Sequence, residues 1–71
     1  MREIHTIDEF DAYLEQHGTL DQLVVQGVDL SERSEQIEAV SCVGGAFLGA
    51  RLSMSALEHV LASGAVVFPR L

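Results

Sequence analysis

The chain has no lysine, no asparagine and no tryptophan, and only one cysteine and one proline among its 71 residues. Without lysine, positive charge rests on four arginines set against eleven acids, for a formal charge of −7 at pH 7. Phosphate backbones and anionic membranes are held mainly by clustered cations, so neither nucleic acid nor a lipid surface is an expected partner. The lone Cys42 has no internal disulfide partner. Small secreted domains usually need several disulfides, which makes a reducing cytoplasm the expected setting. The opening Met1-Arg2-Glu3-Ile4-His5 carries acid at once with no apolar stretch behind it, unlike a signal peptide. The longest run free of charge, Ala39 to Ala50, falls short of the roughly 20 residues a membrane span requires, so a soluble protein is expected.

What is present is a hydrophobic fraction of 48% in a chain long enough for one domain. A domain this small buries only roughly 60% of the surface its unfolded chain exposes, so its core is thin and some apolar surface is left over. Borrowed stability from a partner is a common remedy. Ten of the eleven acids lie between Glu3 and Glu38, which leaves the second half as the apolar half.

Local signals divide the chain into short elements. Thr6-Ile7-Asp8-Glu9 has the form of a capping box, and Ile7, Phe10, Tyr13 and Leu14 recur at helical spacing, predicting a helix over 7–17 that Gly18 ends. Leu23-Val24-Val25-Gln26 is β-branched and compact, as a strand requires. A short helix is expected within 32–39, with Ile37 as its anchor. Val40-Ser41-Cys42-Val43 and Ala46-Phe47-Leu48 read as two buried strands parted by Gly44-Gly45. Ser53 or Ser55 caps a further helix with Leu57, Val60 and Leu61 on its apolar face, and Ala65-Val66-Val67-Phe68 is a last strand that Pro69 stops.

An internal echo joins these pieces. Val25-Gln26-Gly27-Val28-Asp29-Leu30-Ser31 aligns with Phe47-Leu48-Gly49-Ala50-Arg51-Leu52-Ser53 at a fixed offset, and Val67-Phe68-Pro69-Arg70-Leu71 repeats it more loosely. Units of strand, bend, leucine and connection that run the same way stack as parallel strands with helices as connections. The expected fold is therefore α/β: a small, mostly parallel, solenoid-like sheet of three to four short strands with two to three flanking helices, forming one domain over 1–71.

Chemistry-bearing patterns are sparse. Gly44 to Gly49 has the glycine spacing of a phosphate loop, but Ala50 and Arg51 stand where lysine and a hydroxyl are needed, so a tight turn into a buried strand is expected. Cys42 lies on an apolar segment with no histidine placed beside it by the sequence, as a small core residue would. His5, His17, Cys42 and His59 lack metal-ligand spacing. Asp8, Glu9, Asp11 and Glu15 share one helix, which suits a solvated face or the meeting of a basic partner. Arg51 and Arg70 hold equivalent places in the echo, where arginine forks onto a carboxylate such as Asp29 or onto an anionic ligand.

Through Val25-Gln26-Gly27-Val28-Asp29-Leu30, Gly45-Ala46-Phe47-Leu48-Gly49-Ala50-Arg51-Leu52 and Gly64-Ala65-Val66-Val67-Phe68-Pro69-Arg70-Leu71, the stretch from Leu23 to Leu71 resembles the N-terminal extension of some actinobacterial lonely-guy (LOG)-type Rossmann-fold nucleotide-binding proteins. The resemblance implies a module beside a phosphoribohydrolase domain acting on nucleoside 5′-monophosphates. That domain's P-G-G-x-G-T-x-x-E motif is absent, so no catalytic residue carries over. It also implies a domain cut from a longer protein or a free-standing copy, and Pro69-Arg70-Leu71 directly after a strand fits a cut or a shortened gene.

The expected function is a non-catalytic interaction module that docks on a partner domain or on a second copy of itself, with no cofactor and no metal. Candidate binding residues are Phe47, Leu48, Phe68, Arg51 and Arg70, with Val66 beside them, although for the apolar ones a place in the core is the stronger reading. The alternatives are an accessory domain holding a nucleotide-like anion through Arg51 and Arg70, and an acidic phage-type or antitoxin-like inhibitor.

Overall fold

A computed structural model describes residues 2–69. The elements run β1 (Arg2–Ile4), α1 (Ile7–His17), β2 (Leu23–Gln26), α2 (Ser34–Glu38), β3 (Ala46–Leu48), α3 (Met54–Ala62) and β4 (Val66–Phe68). The four strands form one sheet in the order β1-β2-β3-β4, each pair parallel.

The ends of the elements follow from their sequence. Thr6 caps α1 by accepting the Glu9 amide at 3.1 Å, while the Glu9 carboxylate accepts from the His5 amide and the Thr6 hydroxyl. Gly18 closes the helix in the left-handed region at φ 70°, a conformation open to glycine without a Cβ penalty. Ser53 caps α3 by accepting the Ala56 amide. Gly45 is favoured for a different reason. A Cβ there would lie 3.2 Å from the Leu23 carbonyl oxygen and 3.3 Å from that of Leu20, both backbone atoms.

The echo in the sequence is the register of the sheet. Val25 pairs with Phe47 and Phe47 with Val67; Gln26 pairs with Leu48 and Leu48 with Phe68. Asp29 and Arg51 form an isolated parallel bridge just beyond the strands. Over the described residues the chain is thus a small α/β fold with a four-stranded parallel sheet and three helices, as expected. The helices span 11, 5 and 9 residues, so the even coil of equal turns implied by a solenoid overstates its regularity.

Two local expectations change. Residues 40–43 are not a strand. Their hydrogen bonds go to the turn before β2: the Ser41 and Val43 carbonyls accept from the Leu20 and Gln22 amides, and Asp21 Oδ1 accepts from the Ser41 hydroxyl and the Val43 amide. The segment still buries Cys42, which explains its apolar character. Conversely, Arg2–Ile4 is a strand that composition does not announce, because only Ile4 of the three is buried.

Every crossover steps to the next strand in the same direction. Right-handed connections of this kind place all their helices on one face of the sheet. Burial agrees: Ile4, Val25 and Phe47, one row across the sheet, have no accessible surface and share a core with Phe10 and Tyr13 of α1, Ile37 of α2, and Ala56 and Val60 of α3.

Candidate interaction surface

Side chains alternate between the two faces of a strand, so the rows between the buried ones point away from the helices. The register gives two such rows. Glu3, Val24, Ala46 and Val66 form one; Gln26, Leu48 and Phe68 form the other. Val24, Ala46 and Leu48 are half-buried, largely by one another's strands, while Val66 is 49% and Phe68 58% exposed. Among the described residues no element lies over this face. Parallel sheets occur almost only with both faces covered, because crossover helices normally occupy both. A parallel sheet with one bare, mostly apolar face is half of that architecture.

The face is graded in polarity. Toward β1 it carries Glu3, which takes His5 Nε2 at 2.8 Å, and Gln26. Toward β4 it is aliphatic and aromatic. Seven of the eleven acids lie on the three helices. Asp11 is gripped by Arg33 through Nε at 2.9 Å and a terminal guanidinium nitrogen at 3.1 Å, and those hydrogen bonds hold its carboxyl below the usual carboxylate value. Glu9 is lowered first by the His5 amide. Two of the four α1 acids raised by the sequence are therefore committed to holding the fold together.

The candidate binding residues separate. Leu48 and Phe68 are neighbours on the bare face. Phe47 is fully buried beneath the helices, so it is core and offers no surface to a partner. The reason is the period of two: adjacent residues on a strand face opposite sides, and Phe47 shares its side with Val25. Arg51 is exposed beside Asp29, whose carboxyl is lowered chiefly by its hydrogen bonds to Ser31 and further by Arg51. Arg70 lies outside the described residues. Val24, Ala46 and Gln26 complete the face; their alternation with Leu23, Val25 and Phe47 was the signal that could have found them.

The remaining chemistry is dispersed. Shallow depressions run along the carboxyl ends of the strands, lined by Gly27, Val28, Asp29, Gly49, Arg51 and Pro69. Ligands in open α/β sheets bind where strand order reverses and adjacent loops part; a sheet ordered β1-β2-β3-β4 has no such reversal. The other two described arginines serve elsewhere, Arg33 on Asp11 and Arg2 over the Tyr13 ring at 5.8 Å. His59 donates from Nε2 to the Val40 carbonyl at 2.7 Å, fixing α3 to the end of α2. Burial, and secondarily the Asp21 charge, pushes the Cys42 thiol up to about 11, so it stays protonated. Among the described residues no group of three or more histidine, cysteine or acidic side chains converges as metal ligands would. No described helix is long and apolar enough to cross a membrane.

Comparisons with protein-family models, with curated proteins and with solved structures give no significant match for this chain.

Proposed function

We propose that the chain is a non-catalytic interaction module that docks through its bare sheet face. The observation that supports this is the pair of rows Val24-Ala46-Val66 and Leu48-Phe68, half-buried to exposed on the face of a parallel sheet whose described helices lie on the other side. Covering such a face removes apolar surface from water at about 25 cal/mol per Å² and completes the second layer that parallel sheets ordinarily have. Seven of the eleven acids lie on the three helices, and Glu3 is the one acid within the two rows, which favours the same face.

The resemblance to N-terminal extensions of LOG-type proteins supports a nucleotide-processing domain as the first partner to try. The module's part is to bind, with no residue of its own in the chemistry. The test uses a LOG-type catalytic domain and a pull-down from the host as sources of partner, with Leu48→Lys and Val24→Lys as variants. Both changes place charge on the bare face and spare the core row, so circular dichroism is expected to be unchanged while partner affinity falls by roughly tenfold or more. Affinity unaffected by either charge, in folded protein, would remove the face from consideration.

A further inference from the structure

The two edges of the sheet are unlike. The β1 edge carries Arg2 and Glu3, with His5 bound to Glu3, the kind of charge that protects an edge from further pairing. Among the described residues, β4 itself, Val66–Phe68, carries no charge. On β4 the Val66 amide donates to Gly45 and the Phe68 carbonyl accepts from Gly49, so both of these residues point their backbone groups at β3. In a parallel ladder the residue between them points the other way, and Val67 therefore presents its N–H and C=O outward.

Apolar side chains gather around that edge. In α3, Ser55 and His59 turn toward α2, and Ala56 and Val60 toward the core. At 3.6 residues per turn, Leu57 and Leu61 then stand on the opposite flank, the one overlooking β4. Leu61 is 51% exposed. Val67 is only half-buried, having a helix on one side alone. Val66 and Phe68 lie on the other face of the same strand. Glu58 is the one acid beyond Glu38 in the whole chain, so like charges meet little at this end.

We infer that this end of the molecule binds a second copy of the chain, with β4 pairing antiparallel to its counterpart about a two-fold axis through Val67. The geometry is self-complementary. Val67 opposes itself and exchanges both backbone hydrogen bonds; Val66 then faces Phe68 of the copy on the bare side of the sheet, an aromatic and β-branched pairing of the kind that stabilises sheets. On the other side Leu57 and Leu61 of the two α3 helices close over the paired strands. The charged β1 edges lie at the far ends, so the assembly closes as a dimer instead of growing into a filament. With β4 only three residues long, the contact is at the low end of the range for specific interfaces, so association is reversible and concentration-dependent.

Sedimentation of the chain from a few micromolar to about 1 mM tests this, with amide exchange read at Val67. The expected result is a mass rising from 7.7 kDa toward twice that value, with Val67 N–H protection that grows with concentration. Leu61→Glu, at a half-exposed site, is expected to weaken association roughly tenfold or more, because the two-fold applies the change twice. Val67→Pro removes the outward N–H without touching a hydrogen bond of the monomer and is expected to abolish pairing. Val24→Lys, two strands in from the edge, is expected to leave the dimer intact. A dimer lost with Val24→Lys but kept with Leu61→Glu would mean face-to-face packing, overturning the inference while leaving the proposed docking face standing. A monomer at every concentration overturns it as well, even if another protein binds this end.

Discussion

Gln22 holds the left-handed region at φ 58°, the one described residue other than glycine with a positive φ. The turn into β2 demands it, because the Gln22 amide must reach the Val43 carbonyl at 2.8 Å. An L-residue there carries about 1–2 kcal/mol of local strain. Gln22→Gly relieves the strain and loses part of the gain to unfolded-chain entropy, so a net stabilisation of about 0.5 kcal/mol is expected. A thermal melt should show a rise of about 2–4 °C, and a fall would mean that the glutamine side chain, packed beside Gly44, contributes more than its backbone costs. Cys42 offers a second residue-scale reading. With no accessible surface and its thiol pushed up to about 11, it reacts only when the fold opens. Alkylation at pH 8 is expected to run roughly 10³-fold or more slower in native protein than in the urea-unfolded chain, followed by mass spectrometry. Comparable rates would show that residues 40–43 open locally.

Among the elements, the helices were the most legible in the sequence and the strands the least. The Thr6 box and Gly18 bound α1 at the residues expected, since a cap is a local contract between neighbours in the chain. Strand β1 escaped because three residues with one buried side chain carry no periodicity. Residues 40–43 misled in the opposite sense, since an apolar segment is buried whether or not it joins a ladder. One contact between elements lay beyond any local signal, the Arg33 grip on Asp11 across 22 residues. Its pH signature is definite in sign. The Asp11 carboxyl is depressed in the folded state, chiefly by the Arg33 hydrogen bond, so the stability it adds is present above the usual value of 3.8 and is lost as pH falls through the lowered folded value. Asp11→Asn is therefore expected to lower the urea midpoint slightly at pH 7, as exposed pairs do, and the gap from the parent should close on titration below pH 4. A gap that persists at pH 2 would assign the loss to packing and not to charge.

At the scale of the whole molecule, the echo conveyed more than composition did. Aligning Val25 with Phe47 and Val67 amounts to writing down the register, because stacked parallel units repeat side-chain environments at the same offset. The parity of the candidate surface was also implicit: once Phe47 is core, Leu48 must face away from it. What remained hidden was which face the helices cover and that the other is bare, a property of crossover handedness summed over three connections and absent from any single one. The bare face and the β4 edge share Val66 and Phe68, so only substitutions away from that overlap, Val24→Lys on the face and Val67→Pro on the edge, address them separately.

The strand order carries one more consequence. Because each strand touches only its predecessor and successor in the chain, nothing in the threading fixes how many there are. A doubly wound sheet grows outward from a centre and cannot gain a strand internally without rerouting its connections. This one has no centre. A duplicated stretch from Gly27 to Leu48 supplies a connection and a strand with matching ends, so the gene can lengthen or shorten the sheet by whole units through slippage or recombination, and relatives with three or five strands would be ordinary members of one lineage.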